Sequence, residues 1–270
     1  MRTQAEKGSA FAALHAAEPF IIPNPWDAGS ARMLEAHGFK ALATTSSGFA
    51  FTLGRLDGRV TLDEVMIHVA ALTAASDLPV SVDMENGYGS DPQSAATAVR
   101  RAAEAGAVGG SIEDWDPSGR LYDLDHAVAR IEAAAEAAHS LKFPFTLTAR
   151  AENHIRGNPD LDDTIERLRA YEAAGADVLY APGLRDLATM RTVVQSIGKP
   201  LNVVMSAADP SLTAAEMEAV GVKRLSVGGA LSRLALSAFM KGAREMKEKG
   251  TFTWVRDAVP TTDLKAVFRA

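Results

Sequence analysis

The chain has 270 residues, 47% apolar and 23% charged, a composition typical of a globular protein. Its net charge of −6 argues against nucleic acid and anionic membranes as partners, and the lack of cysteine excludes disulfides, thiolate metal sites and cysteine nucleophiles. The N-terminus lacks the apolar core of a signal peptide, and no run approaches the roughly 18 apolar residues of a membrane helix. We therefore expect a cytoplasmic protein without a membrane partner.

Short apolar runs and helical patterns alternate along the chain. After a helical pattern at 5–17, the apolar runs predict eight strands at 20–23, 41–45, 78–82, 108–114, 145–150, 177–180, 201–205 and 223–227. Helical patterns follow at 28–37, 61–76, 91–105, 123–140, 162–174, 184–197, 213–220 and 230–249. Asp27 can cap one helix, and Thr61 with Glu64 resembles a capping box at the start of another. Residues 46–58 are expected to form a loop.

This alternation of strand and helix requires parallel strands with right-handed connections. Eight such units without a domain-like linker predict one α/β domain over 1–270, a closed (β/α)8 barrel of the TIM type with extra C-terminal helices. An open doubly wound sheet is the competing fold. Neither G-x-G-x-x-G after the first strand nor G-x-x-x-x-G-K-[ST] occurs, which argues against it.

The stretch from Val82 to Gly89 is the most informative part of the sequence. Asp83 and Glu85 follow the third predicted strand and leave it on one face. Two adjacent acids repel each other unless a cation lies between them, and Gly87 allows a turn that approaches a ligand closely. Mg²⁺ fits such oxygen ligands, and Mn²⁺ could replace it. The competing interpretation is a solvated loop that carries two acids.

In a barrel of this kind the chemistry lies at the carboxyl ends of the strands. Polar residues gather at the ends of the second to fifth strands, and they are Ser46, Ser47, Asp83, Glu85, Glu113, Asp114, Arg150 and Glu152, with Asp57 on a neighbouring loop. Because Mg²⁺ takes only one or two carboxylates directly, Asp83 is the expected direct ligand. The waters of the ion would be held by Glu85, Glu113 and Asp57.

Arg150 ends an apolar strand, where an unpaired charge is costly. It could clamp an anionic substrate, since a guanidinium matches a carboxylate in two-point geometry; the structural alternative is an ion pair with Glu152 or Glu113. Ser47 and Gly48 could bind another carboxylate, or form a plain turn. The candidate catalytic residues are Arg150 and Glu113. The candidate substrate-binding residues are Ser47, Gly48, Phe49, Arg150, Tyr180 and Asn202.

Taken together, these residues resemble the isocitrate lyase/phosphoenolpyruvate mutase superfamily over nearly all of 24–236. The segments that carry the resemblance are N-P-W-D at 24–27, S-G at 47–48, Asp57, D-M-E-N-G-Y-G at 83–89, I-E-D at 112–114 and A-R-A-E at 149–152. The resemblance implies a (β/α)8 barrel, Mg²⁺ and a small anionic α-oxo acid bound through an enolate-like state. It also implies homodimers that exchange the eighth helix, often paired into homotetramers, with residues 230–270 used in oligomerisation.

The resemblance also assigns roles to single residues. Asp83 corresponds to the metal aspartate of the family, and Glu85 stands where an aspartate is usual, so that this side chain is one methylene longer. The outer metal shell corresponds to Glu113 and Asp57. The residues that correspond to the substrate site are Ser47, Gly48 and Arg150.

The loop after the fourth strand departs from the family. It reads W-D-P-S-G-R-L-Y at 115–122 and lacks the K-[KR]-C-G-H motif whose cysteine is the proton donor of isocitrate and methylisocitrate lyases. It is also shorter than the gating loop of the phosphonate-forming mutases and lacks the lysine and asparagine of that loop. The departures argue against these activities.

The chemistry that remains is that of a Mg²⁺-dependent lyase. It would cleave a C–C bond in a small α-oxo or 2-hydroxy di-acid, by retro-aldol reaction or decarboxylation, through an enolate. Two alternatives stay open: C–P bond chemistry like that of phosphoenolpyruvate mutase or phosphonopyruvate hydrolase, and a non-catalytic barrel that binds an oxo acid. The proton donor also stays open among Tyr180, Ser206, His154 and a metal-bound water.

Overall fold

The computed structural model describes residues 2–268, and a ring of eight parallel strands lies at its centre. The strands within residues 2–268 are β1 (Phe20–Ile22), β2 (Leu42–Ala43), β3 (Val80–Asp83), β4 (Gly109–Glu113), β5 (Trp115–Asp116), β6 (Arg120–Leu121), β7 (Thr146–Arg150), β8 (Val178–Tyr180), β9 (Leu201–Val204) and β10 (Arg224–Ser226). The order in the large sheet is β1-β10-β9-β8-β7-β4-β3-β2. The N–H of Ala43 donates to the carbonyl of Pro23 at 3.1 Å, which joins β2 to β1 and completes the ring.

The helices follow the strands as the sequence predicts. They are α1 (Gln4–Ala16), α2 (Ala28–Ala36), α3 (Ser46–Thr52), α4 (Leu62–Ala75), α5 (Pro92–Glu104), α6 (Leu124–His139), α7 (Leu161–Ala173), α8 (Leu187–Ser196), α9 (Ala214–Ala219), α10 (Ala230–Lys249) and α11 (Thr261–Val267), with a 3₁₀ turn at Thr253–Asp257. Asp27 caps α2, and Thr61 forms a capping box with Glu64 at the start of α4. The alternation confirms the predicted TIM-type (β/α)8 barrel.

Two short elements were not predicted. The expected loop at 46–58 begins with α3, a seven-residue helix whose first turn is capped by the Thr45 side chain. The segment after β4 is a small antiparallel hairpin, β5 and β6, which turns at Gly119 with a positive φ of 97°. Both elements lie at the carboxyl end of the barrel, so they add walls to the site.

The strand ring is packed differently on its outer and inner faces. Between the strands and the outer helices, small apolar side chains of α5 and α6 pack tightly, and Ala98, Ala102 and Ala134 are fully buried there. Inside the ring, by contrast, several positions carry small hydroxyl side chains, among them Ser81, Ser111 and Ser226. Barrel interiors are usually filled by bulky branched residues. The small side chains leave a cavity in the ring.

Helix α10 does not pack over its own barrel. Of its 20 residues only Ser232 and Gly242 are buried, whereas Leu234 is 67% exposed and Phe239 73% exposed. This apolar face suits the predicted exchange of the helix between subunits, which stays a prediction for a single chain. No helix within residues 2–268 is both long and apolar enough to cross a bilayer.

Candidate active site

Asp83 lies at the carboxyl end of β3, where the sequence predicts the metal site. Its backbone N–H donates to the Thr44 hydroxyl at 2.9 Å, and its carboxylate accepts the N–H of Ser46 at 3.2 Å. Because Ser46 is the first residue of α3, this unpredicted helix directs a backbone donor at the carboxylate. Strand β3 and helix α3 together fix the position of Asp83.

Glu85 stands on a turn in a strained conformation. Its φ is 47°, in the left-handed region that non-glycine residues seldom adopt, and Tyr88 has a φ of 60°. Arg130 of α6 holds this turn. Its guanidinium donates to the backbone carbonyl of Asn86 and to that of Gly89, the latter at 2.8 Å. Such strain persists where the surrounding structure determines the backbone. Arg130 thus holds the turn that carries Glu85 beside Asp83.

Asp57, Asp83 and Glu85 crowd together. Burial, followed by repulsion from Asp83 and Asp57, raises the pKa of Glu85 to about 8. Burial and the charge of Asp83 also raise the pKa of Asp57. Within residues 2–268, no group of three or more acidic, histidine or cysteine side chains is arranged to ligate a metal directly. The crowded acids Asp57, Asp83 and Glu85 fit a hard divalent cation that takes few carboxylates directly and keeps several waters.

Arg150 reaches across the ends of three strands. Its guanidinium lies 3.3 Å from Glu113 Oε2 and 3.8 Å from Asp83 Oδ1, and its Nε donates to Glu152. The guanidinium also covers the ring of Tyr180, 5.0 Å from the centroid. Burial opposes the charge, but Glu152 and Glu113 raise the pKa of Arg150 well above its usual range. The ion pairs considered as a structural role for Arg150 are therefore present, and they hold the guanidinium at the mouth.

Glu113 is shared between two arginines. Besides Arg150, it lies 3.6 Å from Arg156 Nη2, and Arg156 Nε donates to Glu152 at 2.8 Å. Burial raises the pKa of Glu113, while the two arginines oppose this. Arg156 was not predicted as a site residue, although its i,i+4 spacing from Glu152 was visible in the sequence. Its guanidinium also covers the Trp115 ring at 4.6 Å, so the hairpin contacts the acidic cluster through Arg156.

A cavity of about 180 Å³ opens beside these groups. The predicted site residues among its lining are Ser47, Asp57, Asp83, Arg150, Tyr180 and Asn202, and Ser206 lines it as well. Glu85 and Glu113 instead line an adjoining cavity of about 300 Å³, which shares Ser46, Asp57 and Arg150 with the first.

Two predicted substrate-binding residues lie away from the cavity. Phe49 stacks on His68 of α4 with 4.0 Å between ring centroids, so its ring belongs to the packing behind α3. The N–H of Gly48 already donates to the Thr45 hydroxyl at 3.3 Å, because Gly48 is inside the capped first turn. Gly48 still matters for packing, since a Cβ there would meet the Thr45 side chain at 2.5 Å.

Asn202 lies deeper than the other predicted residues. It is 2% exposed, donates to Ser226 at 3.1 Å and accepts from Arg224 at 2.8 Å. Arg224 was not predicted as a site residue, yet it lines the same cavity. The cavity therefore contains two arginines, Arg150 near the mouth and Arg224 inside the ring.

The fold and the site together define a class of enzymes. They are (β/α)8 barrels in which carboxylates and an arginine meet at the carboxyl end of the strands. A family model described as phosphoenolpyruvate phosphomutase matches residues 11–247. The chain belongs to this family and hence to the isocitrate lyase/phosphoenolpyruvate mutase superfamily, as the sequence predicted.

Several relatives share the fold and much of the sequence. A crystal structure from Burkholderia cenocepacia J2315, whose assignment as a lyase/mutase is provisional, is 53% identical with a TM-score of 0.97, covering 99% of this chain and 98% of that one. The 2-methylisocitrate lyase of Escherichia coli (strain K12) is 30% identical over 94% of this chain and 89% of its own length. The oxaloacetate decarboxylase of Paraburkholderia xenovorans (strain LB400) is 30% identical over 84% and 77%. Relatives of this kind are carbon–carbon lyases, which confirms the predicted enzyme class.

Proposed function

We propose that this protein is a divalent-metal-dependent lyase that cleaves a C–C bond in a small α-oxo or 2-hydroxy di-acid. The observation that carries the proposal is the position of Arg150, which faces Asp83 and Glu113 beside a cavity of about 180 Å³. Retro-aldol cleavage and decarboxylation both develop negative charge on the oxo oxygen of such a substrate. A fixed guanidinium stabilises that charge without reorganisation during the reaction.

Asp83 would ligate the metal, and Asp57, Glu85 and Glu113 would hold its waters. A bound Mg²⁺ or Mn²⁺ would supply Lewis-acid polarisation of the substrate oxygens. Burial, together with repulsion from Asp83, raises the pKa values of Asp57 and Glu85, and this cost of holding the acids ionised supports a cation at this place.

The remaining steps belong to side chains of the chain itself. Arg150 would donate N–H groups to the developing enolate oxygen, while Glu152 and Glu113 hold the guanidinium in place. Ser47, whose hydroxyl is 3.2 Å from that of Thr45, would bind the substrate carboxylate. Arg156 and Trp115 would limit the access of water from the hairpin side.

The decisive experiment is a substrate panel with purified protein. Oxaloacetate, methylated malates, isocitrate and 2-methylisocitrate would be assayed with Mg²⁺, with Mn²⁺ and with excess EDTA. We expect metal-dependent turnover of one or more di-acids, and turnover that persists in EDTA would contradict the proposal.

C–P bond chemistry is the second candidate, because the matching family model is that of phosphoenolpyruvate phosphomutase. The short hairpin at 115–122 weighs against it. Phosphonopyruvate in the same panel, with phosphate release and mutase turnover both followed, decides between the two chemistries. Binding of oxo acids by calorimetry without any turnover would instead favour a non-catalytic barrel.

We also propose that the chain works as a homodimer or homotetramer in the cytoplasm. The exposed apolar residues Leu234 and Phe239 on α10 support the oligomer.

A further inference from the structure

The guanidinium of Arg224 crosses the interior of the barrel. Nε donates to Asn202 Oδ1 at 2.8 Å on the adjacent strand β9, and Nη2 donates to Thr148 Oγ1 at 2.9 Å. Thr148 is on β7, three strands away around the ring, so the side chain must reach through the interior. Thr148 precedes Arg150 by two residues on the same face of β7, a spacing of about 6.6 Å along a parallel strand. Arg224 therefore lies one layer of side chains below Arg150.

The partners of Arg224 are all neutral. Its third contact is His15 Nε2, 3.2 Å from Nη1, and burial lowers the pKa of His15 to about 3, so this histidine is uncharged. His15 Nδ1 lies 2.9 Å from the carbonyl of Phe11, an arrangement that leaves Nε2 as the acceptor. Within residues 2–268, the side-chain partners of Arg224 are Asn202, Thr148 and His15, none of them an acid, although Arg224 is only 5% exposed. Burial lowers its pKa to about 10, which still leaves it cationic at neutral pH.

A buried cation without a counter-ion is costly. Of the five N–H groups of a guanidinium, three have the partners described above, and the other two have no partner in the described part of the chain and can bind another acceptor. The lining of the cavity beside the guanidinium includes small hydroxyl side chains, among them Ser81, Ser111 and Ser226, and these leave open space. The charge thus borders the same cavity that extends up to Arg150 and Asp83.

We propose that Arg224 binds the second acidic group of the substrate, which extends from the Arg150 layer down into the barrel. The inference rests on the proposed function and makes it more specific. It assigns as substrates di-acids whose distal carboxylate reaches the interior, and it excludes monocarboxylic oxo acids as good substrates. Arg224 then determines specificity, while Arg150 serves the reacting end.

A matched pair of ligands tests this assignment. Malate and 2-hydroxybutyrate differ only in a carboxylate that replaces a methyl group. Calorimetry with Mg²⁺ should show the wild-type protein binding malate at least about 10-fold more tightly, because a buried arginine–carboxylate contact favours the di-acid. Arg224→Gln should weaken malate binding by about 100-fold and leave 2-hydroxybutyrate nearly unchanged. Arg224→Lys should retain part of the preference, since it keeps the charge.

Lys223→Gln is the control for a merely structural role. It removes the bond from Lys223 Nζ to the Ala17 carbonyl, beside Arg224 in the sequence, without touching the cavity lining, so it should leave the ratio of the two affinities unchanged. If the Arg224 variants fail to fold, the ratio of the wild-type affinities for malate and 2-hydroxybutyrate still tests the inference. Equal binding of both acids by the wild type would overturn the role of Arg224 and leave the proposed function standing. Binding of neither acid would contradict the proposed function and the inference together.

Discussion

Arg150 Nη1 lies 3.3 Å from Glu113 Oε2, and this contact joins the ends of β7 and β4 at the mouth of the cavity. The two residues are register partners on adjacent strands, so the pair is set by the sheet rather than by loops. Sites on strands hold their side chains more precisely than sites on loops. The sheet therefore fixes the position of the Arg150 guanidinium and the Glu113 carboxylate relative to each other.

We expect substitution of Arg150 to remove catalysis. Arg150→Ala should lower turnover by about 1,000-fold, because the developing negative charge loses its main donor. Arg150→Lys should retain a little more activity, since it keeps the charge but loses two-point geometry. Arg169→Gln, at an exposed arginine of α7 that donates to a backbone carbonyl, is the control. Steady-state kinetics with the active member of the panel measures the effect, and equal turnover in Arg150→Ala would refute the role.

Glu85 should make the metal-free protein less stable at alkaline pH. In the folded state its pKa is raised to about 8, above the value of about 4.5 in an unfolded chain. Between these two values the folded state keeps a proton that the unfolded state has lost, so the free energy of unfolding falls as pH rises. Below about pH 4.5 Glu85 is protonated in both states, and above about pH 8 the free energy of unfolding has fallen by its full amount.

Glu85→Gln should remove that slope, a difference on the order of 4 kcal/mol between pH 5 and pH 8.5. Urea unfolding in EDTA measures it, with Glu132→Gln on the exposed side of α6 as the control. Mg²⁺ should reduce the slope in the wild type, since a cation favours the ionised carboxylate. An unchanged slope in Glu85→Gln would show that Glu85 ionises normally.

We expect Tyr180, one of the candidate proton donors, to return a proton to the product. Burial raises its pKa, so the hydroxyl stays protonated at neutral pH, and Arg150 lies over its ring. Tyr180→Phe should lower kcat by about 100-fold with little change in KM, the size expected for loss of a proton donor. A KM effect alone would indicate that the hydroxyl only binds substrate.

The apolar face of α10 should mediate self-association. Phe239→Asp should convert the oligomer to a smaller species, because a charge placed in an apolar contact costs several kcal/mol. Light scattering after size exclusion measures the mass, and Glu248→Gln at the exposed end of the helix is the control. A wild-type monomer would disprove the predicted oligomer directly.

The fold was predictable because each strand and helix carried its own local signal. The capping box of Thr61 and Glu64 lies within one helical turn. The alternation of side chains along a strand likewise predicts the face on which Asp83, the last residue of β3, leaves the strand. Arg224 could not be found in this way. Its partners His15 and Thr148 lie 209 and 76 residues away in the sequence, and only the closed ring brings them together. Helix α3 was missed because seven residues with two serines and a glycine give a weak helical pattern.

The small hydroxyl side chains inside the ring have a consequence for evolution and engineering. Replacing Ser81 or Ser111 with valine would fill space with apolar atoms and raise the melting temperature, as cavity filling commonly does. The same change would block the path down which a di-acid extends. The protein therefore keeps a hollow centre at the expense of stability, and selection of variants for heat resistance alone should fill it.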